Sequence, residues 1–271
     1  MSKMLLRNLH VSFASVVAAL VVLGGAATSA LAAPVKNIVL VHGAWVDGSG
    51  WKPVFEILTK DGYRVSVVQE PLTSLEDDVA STKRILDLQQ GPCILVGHSY
   101  GGSIITEAGV HPNVVGLVYV AAHAPDVGEN EGALAKQRNL PSATSKQKGA
   151  VKQTDDGFTF LDPPDFYQDF AADLPRDQAE FESRSQILTA ARVFTTPMTA
   201  AAWKTKPSWA IVAGADRIIN PDLERWYYAR AHSHTIVVEG ASHSVYESRP
   251  KEVAAVIEEA AQKSQNQDQS Q

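Results

Sequence analysis

Gly97-His98-Ser99-Tyr100-Gly101 sets a serine directly after an apolar run at residues 93–97 and directly before a helix-compatible stretch at residues 102–109. A serine on a sharp strand-to-helix turn lifts its hydroxyl above the edge of a sheet, and flanking glycines permit a bend that side chains would obstruct. Ser99 is therefore the candidate nucleophile. The loop has neither the lysine of a phosphate-binding loop nor the glycine spacing of a dinucleotide site, which argues against a phosphate cradle. A serine hydroxyl is a weak nucleophile at its free pKa. It needs a base within hydrogen-bond reach, and the base needs an acid that holds its tautomer.

Two other loops offer these groups. Ser208–Ala213 runs into Gly214-Ala215-Asp216, which puts Asp216 just past the carboxyl end of a strand, where catalytic groups gather in open parallel sheets. Gly240-Ala241-Ser242-His243 follows the last β-rich run and supplies His243 as the base. Asp126, just after the run at residues 114–122, is the rival for the acid. His232 and His234 precede the last strand and lack a third ligand nearby, so a metal site is not expected there. His111 precedes Pro112, and His42 and His98 are read as packing and hydrogen-bonding scaffold around the site. The expected set is Ser99, Asp216 and His243, with no metal and no cofactor.

The elements that must position this set follow from periodicity. Near-continuous apolar runs at residues 37–42, 64–69, 93–97, 114–122, 208–213 and 235–238 imply strands covered on both faces. Between them Leu75, Val79, Thr82 and Leu86 recur at helical spacing, with Ser74 placed to cap and Glu76, Asp77 and Asp78 at the positive end of the helix dipole. Val253, Val256, Ile257 and Ala260 form the stripe of a last helix that begins at Pro250. Strands separated by helices predict an α/β fold with a mostly parallel, doubly wound sheet. The rhythm breaks between Pro125 and Lys206, where no β run is evident and Phe158, Phe160, Phe166, Tyr167, Phe170, Phe181 and Phe194 are scattered through polar sequence. This predicts an inserted helical cap over residues 125–206, with helices at 164–172 and 177–193 entered through a loop at 126–152. Most of those aromatics are expected to pack the cap, and some to line a pocket. The core then comprises residues 33–124 and 207–262.

Composition excludes several classes. With 271 residues, 45% of them hydrophobic, and a formal net charge of -6, the chain is neither disordered nor equipped with the clustered basic residues that nucleic acid requires. Its single cysteine, Cys93, allows no intramolecular disulfide. Lys3 and Arg7, an apolar stretch at residues 11–27 and Ala30-Leu31-Ala32 together predict a secretory signal peptide over residues 1–32. The mature protein is then expected to be periplasmic or secreted, without stable membrane insertion. Residues 263–271 read as a disordered tail.

His42-Gly43-Ala44-Trp45, GHSYGG at 97–102, GAD at 214–216 and GASH at 240–243 occur in an order that resembles the α/β-hydrolase superfamily. The chain looks most like its small capped serine esterases, a group that includes plant methylesterases and hydroxynitrile lyases, over residue 35 to about residue 260. The resemblance implies hydrolysis of a small carboxylic ester through an acyl-enzyme, with the backbone N–H groups of Ala44 and Tyr100 as the oxyanion hole. Related lyases place a lysine beside the catalytic histidine and a threonine in the early loop. Ser244 and Gly43 stand there in this chain, which points away from lyase chemistry. A lactonase, a thioesterase, a cofactor-free perhydrolase or a non-catalytic small-ligand receptor could carry the same residues.

Overall fold

The computed structural model describes residues 35–137 and 150–264. The expected signal peptide, part of the loop at 126–152 and the tail from residue 265 lie outside the described residues. The first half of the chain alternates strands and helices: β1 (Asn37–Val41), α1 (Lys52–Lys60), β2 (Arg64–Val67), α2 (Leu75–Asp87), β3 (Cys93–His98), α3 (Gly101–Ala108) and β4 (Val114–Val120). An insert follows with α4 (Glu131–Gln137), β5 (Val151–Gln153), β6 (Phe158–Leu161), α5 (Pro163–Asp169), α6 (Arg176–Arg184) and β7 (Thr189–Ala190). The chain then returns through β8 (Ser208–Ala213), α7 (Pro221–Arg230), β9 (His234–Val238), α8 (Val245–Ser248) and α9 (Pro250–Lys263).

Six strands form one sheet in the order β2-β1-β3-β4-β8-β9, and every neighbouring pair is parallel. Parallel neighbours need crossovers, and the helices between them cover both faces. The side-chain period of two divides the apolar runs accordingly. Ile38, Leu40, Ile94, Val96, Val118 and Ile211 join Val54, Leu58, Val253 and Ile257 of α1 and α9 in one core layer. Val39, Val41, Leu95, Leu117 and Val212 join Leu75 and Val79 of α2, Ile104 and Ile105 of α3 and Leu223 of α7 in the other, which also takes in Phe166 and Phe170 of the insert. The strand order reverses between β1 and β3, so the loops at their carboxyl ends part there and leave the crevice in which such sheets bind ligands.

The insert departs from expectation in three places. It contains a small antiparallel sheet, ordered β5-β6-β7, that the sequence reading did not anticipate. The helix expected over 177–193 stops at Arg184, because Thr189 and Ala190 pair with β6 instead. Phe181 is 71% exposed, not packed. At the far end Lys263, expected to open the tail, is the last residue of α9 and holds Glu259 at 2.8 Å. Among the described residues no helix is long and apolar enough to cross a membrane.

Candidate active site

Ser99 sits between β3 and α3 with φ of 55°, a left-handed conformation rare for a residue with a Cβ. Its backbone is pinned on both sides. Ser99 N–H donates to Val120 O at 3.3 Å, and Ser99 O accepts from Gly102 N at 2.9 Å and His123 N at 3.2 Å. The bend needs the glycine that follows it, since a Cβ on Gly102 would come within 2.1 Å of His123 O. Gly43, after β1, approaches from the other side. A Cβ there would lie 2.6 Å from Ser99 Cβ and 3.2 Å from Ser99 Oγ, so a threonine at position 43 would overlap the serine.

The structure brings the three expected side chains together. His243 Nε2 lies 2.8 Å from Ser99 Oγ, and His243 Nδ1 lies 2.6 Å from Asp216 Oδ2. An ionised carboxylate can only accept, so Nδ1 carries the imidazole proton and Nε2 is free to accept from Ser99. Asp216 is held by two further donors on its other oxygen, Ile218 N at 2.7 Å and Ile219 N at 3.0 Å. Asp216 and His243 are fully buried and Ser99 is 5% exposed. Asp126 is elsewhere: its carboxylate pairs with Lys204 at 2.6 Å. Among the described residues the backbone N–H groups of Ala44 and Tyr100 donate to no protein acceptor.

Two histidines shape the surrounding scaffold. His42 Nδ1 donates to Gly43 O at 2.9 Å and its Nε2 accepts from Glu70 N at 2.9 Å, which fixes both the tautomer and the path of the Gly43-Ala44 loop. His98 Nε2 donates to the carbonyl of His243 at 3.0 Å, and its ring packs on Tyr246 at 4.2 Å. Burial holds both imidazoles below the ordinary histidine range, His98 well below it. His232 lies in a left-handed turn and His234 stacks on Trp209 at 5.4 Å. Among the described residues no group of His, Cys, Asp and Glu is arranged to hold a metal ion. Burial pushes the Cys93 thiol up to about 12, so it is an inert core side chain.

Behind the Ser99 turn lie two buried carboxyls, Asp78 and Glu70. Asp78 stands in the first turn of α2, as expected, and is also fully buried, accepting from Leu72 N and the Tyr100 hydroxyl, both at 2.8 Å. Glu70 is 3% exposed and accepts from the Thr82 hydroxyl at 2.7 Å. Burial pushes Asp78 up to about 6 and Glu70 up to about 8. A carboxyl raised in this way holds a proton in the folded chain that the unfolded chain, at about 4.3, has already released. Its contribution to stability is therefore full below that unfolded value and is lost as pH rises toward 8. Glu70→Gln keeps the shape and removes the titration. In urea denaturation the variant and the wild type should match near pH 5, and the variant should become the more stable by about 1 kcal/mol or more at pH 8. A gap that does not change with pH would contradict a raised Glu70.

The insert grips the two loops that carry the acid and the base. Asp169 accepts from Arg217 Nε at 3.0 Å, one residue from Asp216. Asp173 accepts from the backbone N–H and hydroxyl of Ser242, one residue from His243. Phe170 O accepts from Ser244 N at 3.0 Å, and the Phe170 ring stands edge-to-face with His243 at 4.8 Å. On the other side the small sheet holds the early loop. Trp45 N–H donates to Thr189 Oγ1 at 3.0 Å and its indole N–H to Thr159 Oγ1 at 3.1 Å. A cleft of ≈ 230 Å³ opens between insert and core, with Trp45, Asp47, Phe181, Glu182, Tyr246 and Glu247 among its walls.

Comparison with known proteins adds an independent line. A sequence model described as the alpha/beta hydrolase family matches residues 38–256. A carbendazim hydrolyzing esterase of Nocardioides sp. (strain SG-4G) is 34% identical over 125 residues, covering 41% of this chain and 51% of that protein, so the match spans about half the relative's length. Esterase PIR7B of Oryza sativa subsp. japonica is 24% identical over 258 residues, covering 84% of this chain and 96% of its own. The crystal structure of a pyrethroid hydrolase from Sphingobium faniae JZ-2 superposes with a TM-score of 0.69 at 25% identity, covering 84% of this chain and 97% of that one.

Proposed function

The chain belongs to the alpha/beta hydrolase family, and from that premise we propose that it is a serine esterase that cleaves small carboxylic esters through an acyl-enzyme. The observation that carries this reading is the unbroken run of hydrogen bonds from Ser99 Oγ through His243 to Asp216, at 2.8 and 2.6 Å. Ser99 attacks the ester carbonyl as His243 Nε2 takes its proton. Asp216 keeps the imidazole oriented and stabilises the charge it acquires. The carbonyl oxygen becomes an oxyanion that accepts from Ala44 N–H and Tyr100 N–H. One such donor is worth about 3 to 4 kcal/mol when it is aimed in advance at the developing charge. His243 then protonates the departing alkoxide, and a water activated by the same imidazole releases the acid.

The comparisons support ester hydrolysis as the reaction class. The relatives named for hydrolysing carbendazim and pyrethroids favour a substrate with a bulky apolar portion. Close approach of Gly43 to Ser99 and the presence of Ser244 after His243 remove the side chains that related lyases use. The test is a serine-reactive aryl phosphonate together with a panel of short aryl esters, lactones and thioesters. Stoichiometric labelling of Ser99 and turnover fastest on the oxygen esters are expected. Labelling without turnover of any panel member would replace the enzyme with a ligand-binding protein.

A further inference from the structure

Glu224 of α7 is a fully buried acid that the proposed mechanism leaves unused. It is placed beside the Asp216 turn through Ala213, from whose N–H it accepts and whose carbonyl accepts from Asp216 N at 3.2 Å, close enough for the two acids to interact. One of its oxygens, Oε2, accepts from Ala213 N at 3.2 Å, while Oε1 is buried and has no donor among the described residues. Asp216 is in the opposite condition: two peptide N–H groups and the His243 imidazole already donate to it. Two ionised carboxylates cannot share a dry site, so a proton must reside on one of them. The hydrogen bonds decide which. Placed on Glu224 Oε1, the proton gives the orphan oxygen a donor role and Asp216 a further bond. Placed on Asp216, it would compete with three donors for an acceptor they already use.

We propose that Glu224 is a neutral carboxylic acid whose O–H donates to Asp216 and holds that carboxylate ionised and oriented toward His243. This rests on the esterase reading above and extends its acid arm by one residue. Glu224 touches neither substrate nor reacting atoms; it positions Asp216. The other ionisable groups around it are accounted for. Tyr228, on the same helix, donates to Ala122 O at 2.9 Å, and Arg225 turns to Asp222 at 2.8 Å. Tyr119 of β4 packs at a tilt on Tyr228 at 6.0 Å and bonds Thr106. None offers Glu224 a counter-charge within the buried site. Burial first, and the Asp216 charge second, raise Glu224 well above the ordinary carboxyl range, in agreement with the proton placement.

Two readouts test this in the full chain. The first is the pH dependence of Ser99 inactivation by the aryl phosphonate, which reports the His243 base without requiring an ester substrate. Glu224→Leu should slow inactivation about ten- to hundredfold, the scale of a lost hydrogen bond to a charged group, and move the acid limb upward as Asp216 becomes more basic. Glu224→Gln retains an N–H donor and should recover most of that loss with the acid limb at its wild-type position. The second is the infrared difference spectrum between wild type and Glu224→Gln at neutral pH, in which one protonated-acid C=O band should be lost on substitution while those of the other raised carboxyls, Glu70, Glu131 and Glu247, cancel. A downward shift of the acid limb by about one unit in Glu224→Gln would mean that an anion had been removed, and would overturn the proposal. So would a difference spectrum in which no acid C=O band is lost. Should Glu224→Leu fail to fold, the glutamine variant decides alone. Failure of the wild type to label at any pH would instead strike the esterase reading, while the infrared band would still report where the proton resides.

Discussion

Ser99→Ala is expected to lower kcat for ester hydrolysis about a millionfold, the scale on which removal of a nucleophile from a preformed triad acts. The change takes away one oxygen and little else. Alanine retains the Cβ that the tight approach of Gly43 already accommodates, and the three backbone bonds that pin the turn do not involve the hydroxyl. The folded population and the apparent substrate affinity should therefore stay near wild type, so that the loss falls on kcat alone. Denaturation curves, substrate binding to the inactive variant and the kcat and KM of the best aryl ester read these quantities separately. Residual turnover within tenfold of wild type would mean that another group performs the attack.

Asp216→Asn is expected to cost about 10⁴-fold in kcat, with Asp126→Asn within about twofold of wild type. The reason is a tautomer. His243 Nδ1 now donates to Asp216, which leaves Nε2 free to accept the Ser99 proton. An amide at position 216 can present its NH₂ to Nδ1, and the imidazole proton then moves to Nε2, where the base should be. Asp126 has no such role, because it pairs with Lys204 and serves its own loop. Equal losses in the two variants, or a larger loss at 126, would reassign the acid.

How much of this was legible in the sequence depends on what each residue's neighbours in the chain reveal. The four inner strands β1, β3, β4 and β8 stand out because burial on both faces leaves uninterrupted apolar runs, whereas the edge strands β2 and β9 are half-buried to exposed and show only through their β-branched residues. The loops after β3, β8 and β9 follow from where those runs stop. The insert's sheet left no such trace. β5 is exposed along its length, β7 is two residues long, and the strands depend on contacts with the early loop that chain order does not disclose. Buried carboxyls were missed for a different reason: an acid inside a helix reads as solvated by default. The available signal was position. Glu224, Tyr227, Tyr228 and Ala231 share the apolar stripe of α7 and its cap, and Asp78 shares that of α2 with Leu75, Val79 and Thr82. An acid embedded in such a stripe must find a partner or keep its proton.

The way the insert meets the core also bears on redesign. Asp169 to Arg217, Asp173 to Ser242 and the Phe170 carbonyl to Ser244 fasten one segment of the insert to both loops that flank the imidazole. A chimera that exchanges this insert for one of different selectivity would inherit loose acid and base loops unless residues 217, 242 and 244 were exchanged with it. Selectivity and turnover in this scaffold are thus transplanted as a unit, and the graft boundary belongs outside that set of contacts.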